Sequence, residues 1–451
     1  MTPFELLPSP RHGVNPHLDR AIWPLSAYVD ERGRLCVGGV AATEIAAAFG
    51  TPTRVVDEED FRARIRCYRA ALPDATLVYA GSALLSVAVA GWAASEGAGL
   101  EVSSGGELAI ALAADVAPSR IILHGNAKTA AELDDAVAAG VGRVVIDTPN
   151  EIALLAGRVR RRQRVLIRVI PDLDTGAVGT GVLDQKFGFA LAGGRAASAV
   201  KRVLGQPWLD LVGLHCQLGS QLADAAIYGD AIRQMIAAMA KVRDRHQVVL
   251  TELNLGGGHA VPYVSGDPEL SPRALATVID AALRAACAEY GYPRPKVVIE
   301  AGRAIAARAG ITLYRVIAIK RQPGGRTLVA VDGDMSDNAR IALNGAKRTV
   351  ALANRHVPTA TAPVTVVGRH CEAGDEIAAD VDLPADVHPG DLLAVAGTGA
   401  YHHSTGSNRN LVGQPPLIGV AGGKFRELVR RETVADLLAR DCSWHGSRRA
   451  G

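Results

Sequence analysis

The sequence predicts an α/β protein whose larger part is a (β/α)8 TIM barrel, joined to a β-rich domain assembled from the N- and C-terminal segments. Three observations predict it. Between about residues 75 and 302, eight short β-branched runs alternate with longer Ala-rich stretches of helical period. Polar residues and glycines gather where each run stops. After Arg303 the pattern changes to strands and turn residues with little helix between them.

The runs, in order, are TLVYAGS, GLEVSSG, RIILHGN, RVVIDT, RVLIRVIP, LVGLHCQLG, ELNLGGGH and KVVIEAGR. Between them lie LLSVAVAGWAASEG, GELAIALAADV, TAAELDDAVAAG, NEIALLAGRVRR, GRAASAVKRVLG, AIYGDAIRQMIAAMAKVRD and PRALATVIDAALRAACAEYG, each with apolar residues at i, i+3 and i+4. Apolar strands separated by helices pair in parallel, because helices must cover both faces of such a sheet. Eight such units close into a barrel, and an open doubly wound sheet is the alternative. The run ends, namely Ser82, Ser103 to Gly105, His124 to Asn126, Asp147, His215 to Ser220, Gly256 to His259 and Glu300 to Arg303, then share the C-terminal rim, where barrel enzymes place their chemistry.

Beyond Arg303, the runs ITLYRVIAIKRQ, RTLVAVDGD, TAPVTVVGRH, GDEIAADVDL and DLLAVAGTG read as strands of the β domain. The run RLCVGGV near the N-terminus is expected to pair with them. The expected boundaries are 1–50 for the N-terminal segment, 51–308 for the barrel and 309–451 for the C-terminal β domain.

Composition narrows the function. A formal charge of +3, from 49 basic and 46 acidic residues, leaves no large cationic field for nucleic acid. The longest basic run, Arg160-Arg161-Arg162, is expected to cap a helix, and 4% aromatic content argues against base-stacking platforms. The opening MTPFELLPSPRHG has no basic segment leading into an apolar core. No stretch reaches the roughly 18 apolar residues a membrane span needs. A cytoplasmic protein with no membrane partner is expected. Six cysteines without CxxC spacing suit a reducing compartment and predict no metal site. About five of the six are expected to be buried as small apolar side chains.

Two motifs carry chemistry. LNLGGGHA puts Gly256, Gly257 and Gly258 directly after a strand. Residues without Cβ let backbone N–H groups approach an anion, so the turn is either a phosphate cradle or simply a turn. Ser220 of HCQLGSQ, at the end of the preceding strand, offers a hydroxyl to the same place. EAGR puts Glu300 and Arg303 on one rim, either as a mutual ion pair or as a carboxylate facing a protonated ring nitrogen beside a guanidinium that grips an anion.

The stretches SSGGELAIAL, ILHGNAK, DQKFGF, GLHCQLGSQ, LNLGGGH, EAGRAI, VDGDMSDNARIALNGA, VGRHCEAGD and GTGAYHHS resemble, in family order, the fold-type III pyridoxal-phosphate (PLP) dependent amino-acid decarboxylases, and within them the diaminopimelate decarboxylases. The resemblance implies that Ser220, Gly256, Gly257 and Gly258 hold the PLP phosphate with Tyr401 beside it. It places His215, Gln217, Gly302 and Arg303 around the cofactor and sets Glu300 against the pyridine nitrogen. Arg303, Arg340, Asn344, Glu372 and Tyr401 would contact an amino acid or amino diacid. Cys371 would return a proton to the substrate carbon from a partner subunit, a task suited to a thiol. A homodimer with shared sites is implied.

The same resemblance marks departures. Ser82 stands where the family carries the lysine that joins PLP covalently. Gln217 replaces a ring-stacking histidine, and as an amide it can still lie flat against a ring. Asn344 replaces a substrate-binding tyrosine. Glu101 replaces an aspartate, and His259 a more usual leucine. Lys128 and Lys186 follow rim strands in stretches the family shares, so neither is a new anchor. The expected function is a decarboxylase divergent in substrate that binds PLP non-covalently. The alternatives are a catalytically silent homologue acting as a binding or regulatory module, an engineered lysine-to-serine change in a conventional decarboxylase, and PLP-free chemistry using Cys371 with His215 or His259.

Overall fold

The computed structural model describes residues 18–173, 186–321, 323, 325–337, 346–356 and 360–444. Its residues divide into two compact units. One contains the chain up to Phe61, Pro262–Asp267 and the chain from Ala306 onward, and the other contains Arg62–Val261 and Pro268–Ile305.

The chain opens with three short strands, β1 (Tyr28–Val29), β2 (Leu35–Val37) and β3 (Val40–Ala41), followed by α1 (Ala42–Phe49), β4 (Thr53–Asp57) and α2 (Glu58–Ala71). The second unit then runs β5 (Thr76–Ala80), α3 (Val87–Ser95), β6 (Gly99–Val102), α4 (Gly105–Ala113), β7 (Ile121–Leu123), α5 (Ala130–Ala139), β8 (Arg143–Ile146), α6 (Pro149–Arg158) and β9 (Gln163–Ile170). It continues through β10 (Phe189–Ala190), α7 (Arg195–Leu204), β11 (Leu209–His215), α8 (Ala226–His246), β12 (Glu252–Asn254), α9 (Pro272–Glu289), β13 (Lys296–Ala301) and α10 (Arg303–Ala306).

The ring order is β9, β11, β12, β13, β5, β6, β7, β8 and back to β9, all parallel. Closure leaves no free edge. The strands are the eight runs read from the sequence. Val78, Ile122, Val145, Leu166 and Val298, one from each of five strands, pack into a single buried cluster with Val212 against it. Each such β-branched or leucine side chain removed from water contributes about 1.5–3 kcal/mol. Helices after the rim strands begin on side-chain caps, Ser86, Ser104, Thr129 and Thr148, so the rim turns stay short. The Arg160 triplet follows α6, and the Arg160 guanidinium donates to Gly157 O and Val159 O.

In the other unit, β14 (Gly310–Arg321), β15 (Thr327–Val331), β16 (Val350–Leu352), β17 (Thr361–Val367), β18 (Glu376–Pro384), β19 (Leu392–Ala396), β20 (Leu417–Ala421) and β21 (Lys424–Val429) form a mixed sheet with β4. The N-terminal contribution differs from expectation. RLCVGGV stays out of this sheet: it makes a small antiparallel sheet with β1, joined to the rest by Leu35 N–H to Ala353 O and Gly423 N–H to Gly38 O. The strand the N-terminal segment does insert is β4, antiparallel to β14 and parallel to β20. Two apolar clusters, one around Trp23, Val55, Ile311 and Ile418 and one around Tyr314, Val329, Val366 and Val395, hold the unit together.

The cysteine expectation is corrected. Cys36 and Cys216 are buried and Cys287 is half-buried, but Cys67, Cys371 and Cys442 are exposed. Cys67 falls off the α2 face that buries Phe61, Ile65 and Tyr68, and Cys371 and Cys442 lie in a bend and a turn rather than in core strands. Among the described residues, no helix is long and apolar enough to cross a membrane.

Candidate active site

The rim residues of the barrel converge as the run ends predicted. Glu300, near the end of β13, is buried with its carboxylate surrounded by three strands. Its Oε1 accepts from His124 Nε2 at 2.9 Å and from Asn254 Nδ2 at 2.6 Å. His215 Nε2 approaches Oε2 at 3.4 Å, too long for a strong bond. The His124 and His215 rings meet edge to face, with centroids 4.8 Å apart. Glu101 on β6 completes the cluster, its Oε1 accepting from Ser103 Oγ at 2.9 Å.

The cluster separates the two carboxyl groups. Burial pushes Glu101 up to about 7, and the negative charge of Glu300 adds to the rise. Burial opposes ionisation of Glu300 as well, but the charge of His124 and its hydrogen bond overcome it and hold this carboxyl well below its ordinary range. His124 is the matching cation: burial alone would depress it, and Glu300 raises it instead. His215, with only the longer contact to Glu300, is pushed down to about 4 by burial and stays neutral. The result is one permanently charged carboxylate at the barrel mouth.

The glycine turn lies next to it. Gly256 and Gly258 adopt φ of +63° and +94°, which side chains other than glycine rarely tolerate. A Cβ on Gly257 would lie 2.0 Å from Glu300 O, so the turn presses backbone to backbone on β13. Gly256 N–H donates to Asn254 Oδ1 at 2.9 Å. Tyr228 Oη, fully buried, donates to Gly257 O at 2.7 Å. Behind the turn, His259 Nδ1 lies 2.8 Å from Tyr68 Oη.

Arg303 and Ser220 are brought together, Arg303 Nη2 donating to Ser220 Oγ at 3.1 Å. The Glu300 to Arg303 ion pair that EAGR left open does not form, since Glu300 takes the two histidines and Asn254 instead. Gln217 also departs from expectation. It does not lie free to cover a ring: Oε1 accepts from Gly257 N–H at 2.9 Å and Nε2 donates to Gly219 O at 2.7 Å. Gly302 sits against β5, where a Cβ would meet Ala80 Cβ at 3.0 Å and Ala83 Cβ at 3.2 Å.

Ser82 follows β5 after one intervening residue, Gly81, and is half-buried on the rim. Lys128 cannot substitute for a lysine there. It is buried, donates to Gly125 O and Val145 O at 2.7 Å each, and pairs with Glu151. Lys186 is exposed, its ammonium 5.1 Å above the Phe187 ring. Lys296 starts β13 at the end opposite the rim, and Lys201 and Lys241 are exposed on helices.

Tyr401, Cys371 and Glu372 belong to the other unit. Tyr401 is held at φ +62°, Cys371 is exposed, and Glu372 pairs with Arg409. Arg340 and Asn344 lie outside the described residues. Two participants carry no role in the sequence expectations: Asn254, which precedes the glycine turn and binds both Glu300 and Gly256, and His124, a rim residue whose partner is Glu300.

A closed parallel barrel that gathers a buried carboxylate, a Cβ-free turn and an arginine-bound serine on one rim has the layout of a barrel enzyme. Residues 58–307 match the family model for the pyridoxal-dependent decarboxylases' pyridoxal-binding domain. A diaminopimelate decarboxylase of Actinosynnema pretiosum subsp. auranticum is 52% identical over 444 residues, covering 98% of this chain and all of that one. Another, from Mycobacterium tuberculosis (strain H37Rv), is 41% identical over 438 residues, 94% of this chain and 98% of the relative. The crystal structure of the diaminopimelate decarboxylase from M. jannaschii in complex with L-lysine superposes with a TM-score of 0.87 at 28% identity, covering 93% and 98% of the two chains. The chain therefore belongs to the pyridoxal-dependent decarboxylases, PLP-dependent carboxy-lyases.

The residues present fit that cofactor. Glu300 supplies an ionised acceptor for a ring N–H. Gly256 to Gly258 form a cradle that any Cβ would fill, and His215 Nδ1 is a buried polar atom with no hydrogen-bond partner among the described residues.

Proposed function

We propose that this protein is an amino-acid decarboxylase that holds PLP without a covalent lysine link and acts on an amino acid other than meso-diaminopimelate. The observation that carries the reading is the pairing of a serine at the end of β5 with an otherwise furnished rim. Ser82 stands at the family's lysine position, and Lys128 beside the site is already committed to two carbonyls and Glu151.

PLP, when bound, supplies a ring that accepts the electron pair left by departing CO2. Each remaining task falls to this chain. Glu300, kept charged by His124, faces the ring nitrogen and favours its protonated form. Ser220, Arg303 and the glycine turn bind the phosphate and fix the register of the ring. His215, neutral and buried beside Glu300 and His124, fills the barrel mouth without adding charge. Glu101, pushed up to about 7 by burial, is mostly protonated below that pH and there adds little negative charge near Glu300. Cys371 Sγ holds the proton destined for the substrate carbon in the site of a second copy, and Tyr401 and Glu372 serve that same site. Arg340 and Asn344 bind the far end of an amino acid or amino diacid, with asparagine in place of tyrosine redirecting the choice.

With Ser82 in place of a lysine, the end of β5 would offer no amine to hold the cofactor covalently or to carry protons, so turnover is expected to be slow relative to a lysine-bearing enzyme. The second reading, a silent homologue, is favoured by one observation: Gln217 already occupies a glycine-turn amide. The deciding experiment is the absorbance spectrum after PLP loading and desalting, then CO2 release from a panel of amino acids. Retained PLP with CO2 release from a substrate other than meso-diaminopimelate supports the proposal. Retained PLP without turnover favours the silent homologue, and no retention overturns both PLP-based readings.

A further inference from the structure

The glycine turn packs against the Gly219 turn so closely that Gly256 and Gly258 have no room for a Cβ. A Cβ on Gly258 would lie 2.2 Å from Gly219 O, and one on Gly256 would lie 2.3 Å from Gln217 Oε1. Into this seam goes the Gln217 side chain. Its carbonyl accepts from Gly257 N–H at 2.9 Å and its NH2 donates to Gly219 O at 2.7 Å. A side-chain amide carries an acceptor and a donor on one planar group, which is what bridging an N–H and a C=O requires. The orientation is fixed by its partners, since the flipped amide would set oxygen against oxygen and N–H against N–H. Gly256 N–H is bound to Asn254 Oδ1, so two of the three turn amides are committed to side chains.

We propose that Gln217 sets the affinity of this protein for phosphate-bearing ligands: its amide occupies the Gly257 N–H, and anion binding must either displace that side chain or proceed with one donor fewer. The inference rests on the reading of this rim as a PLP phosphate site. An anion attracts an N–H more strongly than a neutral amide does, so displacement is feasible, but each binding event forfeits a hydrogen bond already made. One net hydrogen bond corresponds to about three- to tenfold in a dissociation constant. Gln217 is thus a positioning residue for the cofactor that acts through the turn. Its effect should track the phosphate and leave the ring alone.

The test is equilibrium dialysis of the full-length protein against PLP and, separately, against pyridoxal, which has the ring and aldehyde but no phosphate. The parent is compared with Gln217→Met, which keeps the side-chain length and removes both hydrogen bonds, and with Gln217→Ala. The expected result is PLP binding about three- to tenfold tighter in both variants with pyridoxal binding unchanged. Equal tightening of PLP and pyridoxal would assign Gln217 to the ring and overturn the inference, and so would unchanged or weaker PLP binding with pyridoxal retained. If the parent binds no PLP and Gln217→Met does, the inference stands while the proposed function of the parent falls. If the parent binds PLP and the variants bind it no tighter, the function survives and the inference falls. Absence of PLP binding in all three proteins overturns both.

Discussion

Glu300 Oε1 and His124 Nε2 lie 2.9 Å apart, joining strands that stand three places apart around the barrel ring. The contact is therefore a brace across the mouth, and it sets the charge of both partners: Glu300 is held ionised and His124 is raised against the depressing effect of its burial. Replacing Glu300 by Gln leaves burial as the main influence on His124, so its pKa should fall below the ordinary histidine value of about 6.5. An NMR titration of the histidine side chains reads this directly. The same variant should bind PLP about 10- to 100-fold more weakly, the range for loss of a hydrogen bond to a charged group. A His124 that still titrates above that ordinary value would show that Glu300 is not its partner in solution.

The turn at Gly257 makes a steric prediction. Its missing Cβ would sit 2.0 Å from the Glu300 carbonyl oxygen, a backbone atom that cannot swing aside. Gly257→Ala must push the turn off β13, which should cost about 1–3 kcal/mol in urea denaturation. Because the turn and Glu300 belong to one site, PLP retention should be lost together with stability. A variant of unchanged stability that still retains PLP would mean the turn is looser than the geometry requires.

The barrel was legible because each strand is a compact apolar run and each helix keeps its period, so the local signal and the closed sheet agree. The rim was legible for the same reason: strand ends fix where side chains converge. What the sequence could not supply is partner choice. Glu300 and Arg303, three residues apart in EAGR, invited a mutual ion pair, yet one turns to His124 and the other to Ser220. Gln217 carries no hint in the sequence that its amide closes on Gly257, because that contact depends on the close approach of two turns from neighbouring strands. The strands β4, β16 and β20 carry little signal for a different reason: they are three to five residues long and are covered by neighbours distant in sequence, while β21 is largely exposed and has no apolar alternation to mark it.

Ser82 offers a gain-of-function test. Ser82→Lys places an amine where β5 ends, beside the Gly302 contact with Ala80 and Ala83. Borohydride reduction of the PLP-loaded variant should fix one cofactor to the protein, detected by peptide mass spectrometry at the substituted position, while the parent treated alike should carry none. Labelling of the parent at Lys128 or Lys186 would instead identify a substitute anchor and defeat the non-covalent proposal.

His259 predicts how stability responds to acid. Burial pushes its imidazole down to about 4, with the positive charge of Arg64 adding to the effect. In the unfolded chain the same group titrates near 6.5. A base depressed on folding binds more protons unfolded than folded, so its contribution is present above about pH 6.5 and is lost as pH falls from there toward about 4. For this fully buried ring the loss amounts to roughly 3 kcal/mol. His259→Leu should flatten the stability profile across that interval. At about pH 8 the variant should be less stable by about 1–2 kcal/mol, because the buried Tyr68 hydroxyl loses the acceptor 2.8 Å away. Urea melts of both proteins across that pH range measure the two effects separately. A parent and variant with parallel acid slopes would mean that His259 is solvated enough to protonate in the folded state, and the seal behind the glycine turn would then be incomplete.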